Sequence, residues 1–190
     1  MDYCEYPSPV GTLYLTADEG GLTGIWMHPE ETENFPILPQ AKAWLDGYFS
    51  GNPAEISFPL NPHGTSFQKQ VWALLLTIPY GETTTYGYLA REMVQRTGKE
   101  KMSALGVGQA VGANPISILN PCHRVVGANG GQPGYAGGLD KKEWLLRHEG
   151  WLYQTGGSVH DHLIQSKRIN HHLGSSPPGR NPVDSVQSRN

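Results

Sequence analysis

The chain has 190 residues, 37% of them hydrophobic, and a formal net charge of −3, a composition that suits one globular domain or two small ones. Two cysteines exclude a disulfide framework, and the N-terminus has neither the basic start nor the apolar run of a secretory signal, so an intracellular, reducing location is expected. The longest apolar stretch, Val71 to Leu76 with Ile78, is too short to span a bilayer, which excludes a membrane role.

Val10 to Ala17 alternates apolar and polar residues, Asp18-Glu19-Gly20-Gly21 reads as a turn, and Leu22 to Met27 resumes the extended pattern, which predicts a hairpin. Ala41, Trp44, Leu45, Tyr48 and Phe49 fall at helical spacing and Ser50-Gly51-Asn52-Pro53 ends that helix. Ile56 to Leu60 reads as a further short strand. Residues 1–62 are thus expected to form a small α+β domain with no chemistry of its own.

From Ser66 the period becomes helical, with Phe67, Val71, Leu74 and Leu75 on one stripe, Ser66 as N-cap and Pro79-Tyr80-Gly81 as terminator. Thr85 is expected to cap a second helix and Ser103 a third, running to about Val111, so that the three resemble a helix-turn-helix unit. Ala104, Gly106, Gly108, Ala110, Gly112 and Ala113 leave the third helix almost without side chains, although each glycine costs about 1 kcal/mol relative to alanine. Either another helix or a DNA groove must approach that backbone, and a slim helix suits the narrow minor groove. This second domain is drawn over residues 63–154. Residues 155–190, with Ser175-Ser176-Pro177-Pro178-Gly179 and little that could build a core, read as a disordered tail whose four histidines are solvated rather than metal-binding.

Charge is unevenly spread: residues 1–60 hold nine acids and one base, whereas residues 85–150 hold eight bases and five acids. Such asymmetry fits a chain whose second half meets a polyanion, although solvated surface charge produces it too. The chemistry centres on Pro121-Cys122-His123-Arg124-Val125-Val126, where a thiol sits beside an imidazole. A cysteine reacts as thiolate, and a neighbouring histidine is one of the groups that can lower its pKa of roughly 8.5.

Gly64-Thr65-Ser66-Phe67-Gln68-Lys69-Gln70-Val71-Trp72, Ile78-Pro79-Tyr80-Gly81-Glu82-Thr83, Asn114-Pro115-Ile116-Ser117, the Pro-Cys-His-Arg-Val run, Tyr135-Ala136-Gly137-Gly138 and Lys142-Glu143-Trp144-Leu145-Leu146 before Glu149-Gly150 resemble the 6-O-alkylguanine-DNA alkyltransferases over about residues 8–150. The resemblance implies an α+β fold, with a ribonuclease-H-like sheet domain followed by a helical domain holding a winged helix-turn-helix. It implies a self-inactivating repair enzyme that flips 6-O-alkylguanine out of duplex DNA, entered from the minor groove, and moves the alkyl group irreversibly to Cys122. No cofactor is implied, and the chain is expected to act as a monomer, in a prokaryotic cytoplasm or a nucleus. The runner-up is a non-catalytic sensor of alkylated DNA, a group that typically lacks the cysteine, and a thiol hydrolase of small molecules is a distant third. The preferred alkyl group, and guanine against thymine, stay open.

Residue by residue, the resemblance makes Cys122 the acceptor, His123 the group that takes its proton through water, Glu149 the carboxylate that orients the imidazole, and Asn114 the side chain that ties the end of the slim helix to the cysteine loop. Tyr135 matches the hydroxyl on the guanine oxygen, with Val125, Ala136 and Gly137 lining the base pocket. Tyr86 matches the tyrosine under the flipped nucleotide's phosphate, and Gly87, Leu105, Arg124, Lys101 and Ala128 complete the expected DNA-contacting set. The chain departs from the pattern at Leu105, where the family has an intercalating arginine, at Asn120, where a branched apolar residue is usual, and at the zinc positions, where Cys4 is matched but Asp18 and Thr23 are not. No metal is expected.

Overall fold

The computed structural model describes residues 1–127, 135 and 137–150. Ala128, Ala136 and the tail 155–190 therefore lie outside the described residues.

The predicted hairpin forms as β3 (Gly11–Asp18) and β4 (Gly21–Trp26), and β2 (Glu5–Ser8) adds to it in an antiparallel sheet of order β2-β3-β4. β1 (Asp2–Tyr3) pairs antiparallel with β5 (Glu31–Thr32). α1 (Ile37–Phe49) begins four residues before the predicted helix, with Pro39 in its first turn, where a missing N–H costs nothing. Its buried Ala41, Leu45 and Tyr48 share one core with Leu13, Leu15, Leu22 and Ile25 of the sheet. The expected strand at Ile56 to Leu60 is instead a single bridge, Leu22 to Leu60, flanked by bonds from Leu22 N to Pro59 O and Asn61 N to Leu22 O. Pro59 has no N–H to extend a ladder.

In the second half, α2 (Ser66–Leu75) is capped by Thr65 rather than Ser66: the Thr65 hydroxyl accepts from Gln68 N while Gln68 Oε1 accepts from Thr65 N. β6 (Thr84–Thr85) leads into α3 (Tyr86–Thr97), which Thr85 caps as expected and Gly98 closes at φ 69. α4 (Ala104–Gly112) follows Ser103, whose hydroxyl accepts from Gly106 N. Helices α2, α3 and α4 share a core of Val71, Trp72, Leu75, Leu89, Met93, Val107 and Val111, with Trp72 Nε1 donating to Ala110 O at 2.8 Å. β7 (Val125–Val126) pairs parallel with β6, and α5 (Leu139–His148) completes the described fold.

The two halves are joined through the segment that precedes the cysteine. Ile25 N donates to Pro115 O and Ser117 N donates to Ile25 O, so β4 holds residues 115–117 along its edge. Ile116, Ile118 and Leu119, with Leu145 of α5, then pack into the core under the sheet.

Candidate active site

Cys122 is delivered by two tight turns. Leu119 N donates to Ser117 O at 2.8 Å across Ile118, which is held at φ 71. A β-branched residue in that conformation is strained, of order 1–3 kcal/mol, and persists only where its surroundings over-determine it; Ile118 is completely buried. Cys122 N then donates to Asn120 O at 2.8 Å across Pro121, φ −81 and ψ 63, an inverse γ-turn. Asn114, just past α4, fastens both ends of this loop: its Nδ2 donates to Asn120 O at 2.9 Å and its Oδ1 accepts from Ile116 N at 3.1 Å. Asn120 itself, where the family pattern has a branched apolar residue, donates Nδ2 to Trp72 O at 3.2 Å and leaves Oδ1 buried without a partner among the described residues.

His123 and Glu149 are both buried, and His123 Nε2 bonds Glu149 Oε2. The same carboxylate accepts from Tyr48 Oη at 2.7 Å on Oε2, and from Arg124 Nε at 2.6 Å and Gly81 N at 3.1 Å on Oε1. Burial works to raise the Glu149 carboxyl, but the charges of His123 and Arg124 and their hydrogen bonds outweigh it and hold Glu149 well below the usual carboxylate range. Burial pushes the His123 imidazole down, against the pull of Glu149. The outcome is an ionised carboxylate and a neutral ring whose Nε2–H donates to it. His123 Nδ1, buried and without a hydrogen-bond partner, is then a free base.

Cys122, 8% exposed, opens onto a narrow pocket lined also by Tyr86, Val111, Gly112, Asn114, Tyr135 and Lys142. Burial pushes its thiol up, while the Asn114 amide, the Lys142 charge and the Tyr135 hydroxyl draw it back down. Tyr135 Oη lies beside the thiol, buried and without a hydrogen bond of sound geometry. Tyr86, at the start of α3, is pushed up to about 12 by burial and by the neighbouring Cys122. Lys142 is 1% exposed, donates Nζ to Val125 O at 2.7 Å, and is lowered to about 8 by burial, with Cys122 opposing.

Cys122, His123, Glu149, Asn114, Tyr135 and Tyr86 thus come together as the sequence suggested. One expectation is corrected. Arg124 does not face outward to DNA: it is 8% exposed, paired with Glu149, bonded through Nη1 to Ile78 O at 2.7 Å, and lies over the Tyr80 ring. Val125 is fully buried in the helical core and turns only its carbonyl to the site, where Lys142 meets it. Gly137 backs onto Met27 of the sheet domain, where an added Cβ would stand 2.0 Å from Met27 Sδ. Gly87, Lys101 and Leu105 are accessible, Leu105 to 75% on the outer face of α4.

Sequence reasoning missed Tyr48, Gly81 and Lys142. Lys142 did carry a signal, since Lys142, Leu145, Leu146 and Glu149 recur at i, i+3, i+4 and i+7, which sets a lysine on a buried helical stripe. Tyr48 carried none, because its partner lies 101 residues away.

The chain is also similar to proteins of known family. The profile of the 6-O-methylguanine DNA methyltransferase DNA-binding domain matches residues 66–151, and that of the ribonuclease-like domain of the same family matches residues 1–62. The methylated-DNA--protein-cysteine methyltransferase of Methanosarcina acetivorans is 43% identical over 159 residues, covering 79% of this chain and 99% of that protein. The protein of the same name from Mycolicibacterium paratuberculosis is 41% identical over 157 residues, covering 78% of this chain and 92% of its own length. Among solved structures, the Mycobacterium tuberculosis O6-methylguanine methyltransferase superposes with a TM-score of 0.66 at 40% identity over 78% of this chain and 92% of that one. Mycobacterium tuberculosis OGT in complex with DNA gives 0.66 at 36% identity over 86% and 99%.

Proposed function

Because the chain belongs to the 6-O-methylguanine DNA methyltransferase family, a family of direct DNA-repair alkyltransferases, we propose that it transfers the alkyl group of 6-O-alkylguanine in duplex DNA to its own Cys122, once and irreversibly. The observation that carries this reading is the buried His123, held by Glu149 through Nε2 and bare at Nδ1, next in the chain to a cysteine that opens onto a pocket.

The Cys122 proton passes, through a water, to His123 Nδ1, and Glu149 stabilises the imidazolium that results. The thiolate's electron pair forms a carbon–sulfur bond as the carbon–oxygen bond breaks and its pair passes to the guanine oxygen. Tyr135 donates its hydroxyl hydrogen bond to that oxygen as charge develops, and the base recovers a proton. The alkyl group and a proton have changed places, and no third group remains to free the thioether.

An alkylated oxygen within a duplex is out of reach, so the nucleotide must leave the stack. The outer face of α4 suits a close approach to the minor groove: among the described residues a Cβ on Gly112 would meet no atom within 4 Å, which leaves that backbone open to a groove. Tyr86 at the head of α3 receives the target nucleotide's phosphate, and Leu105 enters the gap as an apolar wedge, since leucine cannot hydrogen-bond an orphaned base. One copy of the chain suffices for each lesion.

The test is an intact-mass measurement after incubation with a duplex carrying 6-O-methylguanine. Wild type should gain one methyl on Cys122, mole for mole, while Cys122→Ser should bind the lesion duplex without any adduct. Binding by wild type without an adduct would instead identify a sensor of alkylated DNA.

A further inference from the structure

Glu149 is held from both halves of the molecule. Tyr48 lies on α1, against the sheet, with its ring completely buried. Its hydroxyl donates to Glu149 Oε2 at 2.7 Å, the same oxygen that meets His123 Nε2. Its main-chain carbonyl, meanwhile, lies 2.6 Å from Nε2 of His148, the residue before Glu149. Both polar ends of one residue therefore grip consecutive residues at the end of α5. Rings close around this grip: Trp144 stacks on His148 with centroids 4.9 Å apart, and Phe49 packs edge-on against Tyr48 at 5.2 Å. The other groups on the carboxylate, Arg124 and Gly81, occupy Oε1, so Tyr48 is what fixes the oxygen that faces the imidazole.

The geometry points to Tyr48 as a positioning residue for alkyl transfer, through which the sheet domain fixes Glu149 and so His123. The inference rests on the reading of Cys122, His123 and Glu149 as the transfer machinery. It gives the N-terminal half, which the sequence presented as chemically silent, a part in the reaction. Without the hydroxyl, Oε2 is left to the imidazole alone, and ring and carboxylate can shift together away from the thiol. A sub-ångström displacement of a base is enough to slow a proton transfer severalfold.

The experiment uses the full chain with Tyr48→Phe and a control from β2, Tyr6→Phe, which removes another tyrosine hydroxyl bonded to α1, that of Tyr6 on Asp46, without touching Glu149. Single-turnover transfer from a 6-O-methylguanine duplex, duplex affinity and melting temperature are measured for each, and the His123 Nε2 proton is followed by NMR in the free protein. Tyr48→Phe should transfer about 5- to 30-fold more slowly, bind the duplex within about twofold of wild type, and displace the His123 Nε2 proton resonance. Tyr6→Phe should change neither rate nor resonance. A Tyr48→Phe rate within twofold of wild type, an unmoved resonance, or equal slowing by Tyr6→Phe would each overturn the inference. If wild type itself forms no adduct, the proposed function fails separately, and the resonance still reports whether Tyr48 reaches His123 through Glu149.

Discussion

Lys142 Nζ donates to the Val125 carbonyl at 2.7 Å from a site that is 1% exposed, on the wall of the pocket that holds Cys122. The ammonium is the cation beside the thiol, and its charge helps to lower a thiol that burial raises. Lys142→Met keeps the length and removes the charge, so the thiol should rise and transfer near neutral pH should slow about tenfold for each unit of that rise. Transfer rate and iodoacetamide capture against pH would show it, and superimposable curves for variant and wild type would sink the idea. The burial that lowers Lys142 to about 8 is a stability penalty, complete below that pH and relieved as pH climbs towards the unfolded value of about 10.4. The stability difference between wild type and Lys142→Met should therefore move in favour of wild type between about pH 8 and 10.

Acid should weaken the fold in two stages. His123 is lowered in the native state by its burial, so as pH falls below about 6.5 the unfolded chain takes up a proton that the native chain does not, and stability begins to drop. Glu149 is also lowered. Its contribution is whole above about 4.3 and is lost as pH falls towards its depressed native value. Glu149→Gln should erase the second stage and, by leaving the buried Arg124 without its counter-charge, cost about 3–5 kcal/mol at neutral pH. Melting curves from pH 7.5 to 3 on both proteins decide the matter, and an unchanged acid limb in the variant would refute the assignment.

Gly112 offers a case in which stability and binding should move in opposite directions. Among the described residues an added Cβ there meets no atom within 4 Å, so Gly112→Ala should raise stability by about 0.5 kcal/mol through helix propensity. If the bare face of α4 is there for DNA, the same methyl group should weaken binding to duplex. A variant that is both more stable and equally tight-binding would show that the missing side chain serves nothing outside the protein.

Leu105 is 75% exposed, so an arginine at that position meets solvent rather than a core. Leu105→Arg should leave the melting temperature nearly unchanged, tighten duplex binding, and steepen its salt dependence by about one unit. The gain should be smaller on single strands, which present no orphaned base. Lys101→Ala, also at an exposed position, should weaken duplex and single strand alike; selective loss on duplex would move the wedge from Leu105 to the loop before α4.

The helices were legible because they are written locally. Thr85, Ser103 and the apolar stripes of α3 and α4 state their own limits within a dozen residues, and Pro-Cys-His-Arg marks its own chemistry. What escaped was settled at long range or by a missing donor. Pro59 turns an expected strand into one bridge; the cap of α2 is the exception, a local capping box in which Gln68, three residues on, recruits Thr65 ahead of Ser66. Arg124 read as a surface cation because nothing near it in sequence discloses a carboxylate 25 residues on. Ile118 gave no warning of its left-handed backbone, since no local propensity favours it; the core around it imposes the turn.

The carboxylate of Glu149 also sets an order in time. A ribosome makes Tyr48 first, then Cys122 and His123, and only 26 residues after His123 does the carboxylate exist. Until α5 docks, the imidazole has no partner to hold its tautomer, and the cysteine beside it is an ordinary thiol. On the proposed reading, the base for the transfer is therefore oriented only when the fold closes, while the burial that closing brings pushes the thiol itself up.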